Sequence, residues 1–208
     1  MSNVRKQIFF TSDWHCFHEN VLKFCNRPFT DLDHMHRVLI NNYNASVPDH
    51  GICYFVGDMG MKNSNRLKAI LDQLNGTKIL ILGNHDAKIN TLYKAGFDAV
   101  CHGMKLEIAK QMVTISHCPL LDTPREDTTR MKKSYDPNWH GNDREKHRKH
   151  SFSNTGQFHL HGHIHSPNKG QSKKTLGKQF DVGVDASNYR PVHISQIESW
   201  IALYKEEE

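Results

Sequence analysis

The chain has 208 residues, 37% hydrophobic and 24% charged, a balance that suits one soluble domain with a sizeable core. No apolar run approaches the roughly 20 residues of a membrane helix, and the apolar part of "MSNVRKQIFFTSD" is too short for a secretory signal, so a cytoplasmic protein is expected. The net charge of +5 is compatible with an anionic substrate without singling out nucleic acid.

Five cysteines stand at 16, 25, 53, 101 and 118, an odd number with no C-x-x-C pair, so neither a disulfide framework nor a zinc ribbon is suggested. They read as reduced thiols, small and mostly buried.

In chain order, six short apolar runs rich in β-branched and aromatic residues predict strands: "QIFFTSD" at 7–13, "ICYFVGD" at 52–58, "KILILGNHD" at 78–86, "MVTISHC" at 112–118, "QFHLHGH" at 157–163 and "FDVGV" at 180–184. Helical periodicity appears between the early ones. The stretch 31–43 starts at Asp31, a candidate N-cap, and puts Leu32, Met35 and Leu39 on one face. The stretch 64–76 carries Leu67, Ile70, Leu71 and Leu74, with Gly76 as its stop. A weaker helix is expected at 87–95. Strand alternating with helix implies right-handed crossovers and a largely parallel sheet.

From about residue 98 strands follow one another, with a hairpin turn near Lys110, so the second half is expected to be β-rich and partly antiparallel. The polar segment 122–156 has weak periodicity and reads as a loop insertion in a single domain spanning 1–208. It contains the basic "REKHRKH" at 144–150, and a second basic stretch covers 166–178. Both could line an approach to an anion.

One coincidence recurs at five strand ends: metal-ligand residue types follow at once. After "IFFTS" come Asp13 and His15. After "CYFV" come Gly57 and Asp58. After "ILIL" come Gly83, Asn84, His85 and Asp86. After "VTIS" comes His117. After "FHL" come Gly162, His163 and His165. Ligands of open α/β sheets bind beyond the carboxyl ends of the strands, so these residues would converge on one rim. His159 and His161 share the alternation and are read as packing or hydrogen-bonding partners of the ligands. Asp86 is read as a helix cap, with orientation of His85 as the alternative.

In this order the blocks Asp-x-His (13–15), Gly-Asp (57–58), Gly-Asn-His-Asp (83–86), a lone His (117) and Gly-His-x-His (162–165) resemble the calcineurin-like metallophosphoesterases, over roughly residues 7 to 190. The resemblance implies an α/β fold, a two-sheet β-sandwich flanked by helices in four layers (αββα). It also implies a dinuclear centre. Asp13, His15, Asp58 and His165 would bind one metal, and Asp58, Asn84, His117 and His163 the other. Asp58 would bridge, and His85 would face the substrate. Many relatives carry an acid three positions after the bridging Asp, where this chain has Met61.

The imidazole-rich set suits two divalent transition-metal ions, Mn first and Fe, Zn, Co or Ni as alternatives, better than Mg or Ca. Two such ions exceed the charge of two carboxylates, leaving positive charge for a phosphate. The expected activity is hydrolysis of a small phosphodiester or phosphomonoester, a nucleotide or cyclic nucleotide, by metal-activated hydroxide, with His85 as general acid. His18 and Arg27, the latter in "FCNRPF", are candidate substrate-binding residues, Arg27 because its fork matches phosphate. The alternative is a metal-dependent nuclease, for which 144–150 and 166–178 are the basic stretches but no stacking platform is evident. A protein phosphatase fits less well, because "GDMGMKN" lacks the Arg-Gly pair usual there. No membrane partner is expected.

Overall fold

The structure is a computed structural model that describes residues 7–60, 64–120, 152–166 and 178–205. The expected loop insertion therefore lies almost wholly outside the described residues, as do Met61 and most of the basic stretch 166–178.

Two sheets form. The first joins β1 (Ile8–Thr11), β2 (Ile52–Phe55), β3 (Thr77–Ile81) and β4 (Ala99–Cys101) in parallel, in the order β4-β3-β2-β1. A two-residue strand, β9 (Val192–His193), closes the β1 edge antiparallel. The second sheet runs β5 (Met104–Ile108), β6 (Gln111–Ile115), β7 (His159–His161) and β8 (Gln179–Asp181), antiparallel at β5–β6 and parallel thereafter. The expected turn is present: Ala109 and Lys110 have φ 50° and 62°, the signature of a two-residue type I′ hairpin.

Strand alternation builds two cores. Phe9, Cys53, Phe55 and Leu80 point to one side of the first sheet and pack against helices. Phe10, Tyr54 and Ile81 point to the other side and meet Val113, Ile115, Leu160 and Phe180 of the second sheet. Burying a side chain such as Phe10 contributes roughly 1.5–3 kcal/mol, so this inter-sheet layer fixes how the two sheets face each other.

The helices are α1 (Asn20–Phe24), α2 (Leu32–Asn44), α3 (Ser64–Leu71), α4 (Ile89–Ala95) and α5 (Ile194–Lys205). Asp31 caps α2 as expected, its side chain accepting from His34 N at 2.7 Å. Helix α3 stops at Leu71, short of Gly76. Met35, Leu39 and Tyr43 of α2, Leu67 and Ile70 of α3, and Leu92 of α4 cover the first sheet. Helix α5 adds Ile197, Trp200 and Ile201 to the inter-sheet core, with Trp200 edge-on to Phe158 and Phe180. Among the described residues no helix is long and apolar enough to cross a membrane.

Candidate metal centre

The strands deliver their ends to one rim, and backbone pairing carries on past them. Asp13 N donates to Gly57 O, His15 N to Asp58 O and Cys16 N to Met59 O, at 2.9–3.1 Å. Gly162 N donates to His117 O, and Val184 N to Ser12 O. The last bond ties the chain after β8 to the end of β1, so both sheets contribute to the same site.

The predicted ligands meet there. Ligand atoms of Asp13, His15 and His165 lie within 4.8 Å of one another, as do those of Asp13, Asp58 and His117, and those of His117, Cys118 and His163. His15 Nε2 is 3.5 Å and His117 Nε2 3.2 Å from Asp58 Oδ2. Asp58 Oδ1 instead accepts from His85 N at 2.8 Å. One carboxylate oxygen thus faces two imidazoles, which is the arrangement a bridging ligand needs.

Four buried polar atoms here lack a hydrogen-bond partner: Asp13 Oδ1, His15 Nε2, Asn84 Oδ1 and His117 Nε2. Each such atom costs roughly 1–3 kcal/mol, and folded proteins keep few of them. All four belong to predicted ligands. The donor set of carboxylate, amide and imidazole atoms therefore fits cations, which would engage these atoms.

The far sides of the rings are anchored. His117 Nδ1 lies 2.8 Å from Val56 O. A carbonyl only accepts, so Nδ1 carries the proton and Nε2 is turned toward Asp58. His165 Nδ1 lies 2.8 Å from Asp185 Oδ2, while its Nε2 faces Asp13 Oδ1 at 3.9 Å. His163 N donates to Asp13 Oδ2 at 2.9 Å. Anchors of this kind set the tautomer and aim of ligating histidines.

Backbone strain concentrates here too. Asp13, His15, Asp58, His163 and His165 all have positive φ, between 47° and 72°. Such conformations are uncommon outside glycine and gather at functional sites. The motif glycines have steric reasons as well. A Cβ on Gly162 would collide with Ser12 Oγ and Asp13 Oδ2, and one on Gly57, at φ 90°, would collide with the His117 ring.

Charge follows from this crowding. Burial opposes ionisation of Asp58, yet His117 and His15 beside it hold its carboxyl well below the usual range. Burial would lower His117, but Asp58 raises it to about 9. Burial drives His15 well below its ordinary value and raises Asp13.

His85 is exposed on the rim, its ring 5.4 Å from that of His15 and 6.2 Å from that of His18. His18 is half-buried, with Nδ1 3.5 Å from His15 Nδ1. Both are open to solvent beside His15.

Two sequence expectations change. Arg27 does not reach out to phosphate: its side chain is 0% exposed. Its nitrogens bind Asp185 Oδ1 and Oδ2 at 2.8 Å, Asp13 O at 2.6 Å and Trp14 O at 3.1 Å. A guanidinium saturated inward has no donors left for a substrate. Asp86 does not cap α4, which starts at Ile89 after Lys88. Its carboxylate accepts from Asp58 N, Met59 N and Gly83 N at 2.8–2.9 Å, joining the ends of β2 and β3. Burial, then the nearby Asp58, pushes it up to about 6. His159 and His161 are buried, packed and hydrogen-bonded, as the packing reading expects. Their rings stack at 5.9 Å on the outer face of the second sheet, and His159 contacts Thr114 Oγ1 and Cys118 O.

Asp185 and Asp181 were not singled out from sequence. Asp185 follows the apolar run "FDVGV" just as the other motif acids follow theirs, so the same signal marks it. No disulfide joins the cysteines, and burial raises the Cys16 thiol to about 12.

No family model matches the chain. Over 83 residues it is 42% identical to an uncharacterized protein of Methanocaldococcus jannaschii, a match covering 39% of this chain and 47% of that protein; the chain thus spans about half the length of this curated relative. In three dimensions it is similar to the crystal structure of a protein of unknown function from Aquifex aeolicus, with TM-score 0.67, 22% identity, and coverage of 94% of this chain and 99% of that one. That likeness speaks to fold alone.

Proposed function

We propose that the chain is a dinuclear metal-dependent phosphoesterase with a calcineurin-like fold, acting on a small phosphodiester or phosphomonoester such as a nucleotide or cyclic nucleotide. The observation that carries this reading is the set of partnerless buried atoms on Asp13, His15 and His117 beside Asp58, with a fourth on Asn84, in the turn whose next residue, His85, donates its N–H to Asp58. Asp13, His15, Asp58 and His165 would hold one cation, and Asp58, Asn84, His117 and His163 the other. Imidazole-rich ligation favours Mn, Fe, Zn, Co or Ni. When bound, two such ions supply a nucleophile at neutral pH and positive charge for the phosphate oxygens.

The residues of the chain do the rest. Asp58 would serve both positions, and its Oδ1 holds the His85 backbone N–H. His85, exposed at the rim, is placed to give a proton to the leaving oxygen, and His18 to contact the phosphate. The basic stretch that favoured a nuclease at 144–150 lies outside the described residues, so no structural observation favours that reading. A cytoplasmic setting stays part of this proposal.

The test is hydrolysis of generic aryl phosphodiesters and monoesters with added Mn, followed by a nucleotide panel. Turnover that disappears in Asp58→Ala and His85→Ala supports the reading. Full activity in both variants would reject the site assignment.

A further inference from the structure

We propose that Arg27 and Asp185 form a buried positioning pair that holds the ligands of one cation position and leaves the other untouched. This rests on the two-cation reading above.

The pair is joined through two parallel bonds, Arg27 Nε to Asp185 Oδ1 and Arg27 Nη2 to Asp185 Oδ2, both 2.8 Å. Bidentate pairing of this kind is strong and geometrically exact in direction. From the pair, bonds run outward to one half of the centre. Arg27 Nη2 donates to Asp13 O, and Nη1 to Trp14 O, fixing the peptides on which Asp13 and His15 are hung. Asp185 Oδ2 takes His165 Nδ1 at 2.8 Å. Asp13, His15 and His165 are the three non-bridging ligands assigned to one position.

The other position has separate supports. His117 is anchored by Val56 O. Asp86 ties Gly83 to Asp58 and Met59. None of these bonds involves Arg27 or Asp185.

Cys25, His165 and Asp185 present ligand atoms within 4.8 Å of one another, a possible third cation site. Both Asp185 oxygens already accept from the guanidinium, and a cation there would sit against the charge of Arg27. The cluster is better built to hold His165 than to hold a metal.

Removing the carboxylate charge with an isosteric change, Asp185→Asn, releases the His165 ring and leaves Arg27 without its anion. Loss of such outer partners weakens metal binding by about 10–100-fold. The experiment is Mn titration of the metal-free protein, followed by calorimetry and by electron paramagnetic resonance. Wild type takes up two ions with a spin-coupled signal. Asp185→Asn, at a concentration that fills both positions in wild type, retains one ion with an uncoupled six-line signal. His165→Gln gives the same pattern, and the double variant loses less than the sum of the two single losses, because part of the effect of Asp185 runs through His165. Arg27→Lys keeps the charge but loses the fork, so it lowers the same affinity; it stands in should Asp185→Asn fail to fold. Two ions bound to Asp185→Asn with wild-type affinity, or an equal loss at both positions, would overturn the proposal. Wild type binding fewer than two ions would instead overturn the two-cation reading itself.

Discussion

His15 and His117 aim their Nε2 atoms at one and the same oxygen, Asp58 Oδ2, from 3.5 and 3.2 Å. Neither nitrogen has a hydrogen-bond partner. Asp13 Oδ1 and Asn84 Oδ1 are likewise buried without a partner. Four such atoms, at roughly 1–3 kcal/mol each, are a burden comparable to the net stability of a whole domain, about 5–15 kcal/mol. Cations at this rim would remove it.

Stability should therefore depend on metal. Each position filled at a hundred times its dissociation constant contributes about 2.7 kcal/mol, and for a chain of this size each kcal/mol moves Tm by roughly 2–4 °C. Chelation should lower Tm by about 10 °C or more, reversibly on adding Mn. Scanning calorimetry with and without chelator measures this; an unchanged Tm would mean that the rim holds no cation.

His85 is exposed and bonds to the centre through its backbone nitrogen alone among the described hydrogen bonds. His85→Asn should therefore leave metal content at the wild-type level while kcat falls by about 10²–10⁴, the usual contribution of a positioned acid. Metal content measured alongside steady-state kinetics separates the roles. A fall in both would make His85 a support of the site and not an acid.

Much of this candidate site was legible in the sequence because each proposed ligand follows an apolar run. Asp13 follows "IFFTS" and His117 follows "VTIS", so knowing where the strands end was enough to gather them. What pattern could not supply was direction. Arg27 has the chemistry of a phosphate clamp, but only the packing of α2 and the position of Asp185 turn it inward. Asp86 stands one residue after His85 in a helix-start context, yet its carboxylate serves the backbone of β2 and β3, contacts no local pattern records. Helix α5 has its own signal in the sequence, since Ile197, Trp200, Ile201 and Tyr204 carry helical spacing. Strand β9 has two residues, too few for any alternation to register.

Gly162→Ala should disrupt the centre, because its Cβ would press on Ser12 Oγ and Asp13 Oδ2. The expected result is loss of metal binding with a stability cost of about 1–3 kcal/mol, the usual range for overpacking. Gly156→Ala is the control. It has a positive φ of 81° but open space around the new methyl, so it should cost backbone strain and leave metal binding intact. Denaturant melts with Mn titration compare them; equal metal affinity in Gly162→Ala and wild type would contradict the close packing.

Asp181 gives a pH dependence with a definite sign. Its carboxyl is buried, Oδ2 has no hydrogen-bond partner, and burial, then Asp13, pushes it from 3.8 up to about 7. The folded state keeps a proton there that the unfolded state has lost. Stability from this group is thus present below pH 3.8 and lost as pH rises through about 7. In metal-free protein, Asp181→Asn should match wild type near pH 4 and be more stable above pH 7, by on the order of a few kcal/mol. Urea melts across that range test it; a difference that does not change with pH would show that the carboxyl is already ionised throughout.

The central claim is that seven side chains from five segments gather two cations, and anomalous diffraction at the Mn edge from Mn-loaded crystals tests it most directly. Two peaks about 3.5–4 Å apart, flanking Asp58 Oδ2 with one near His165 and the other near His117, are the predicted result. The absence of any peak among these residues, or a single peak unaffected by Asp58→Asn, would contradict it.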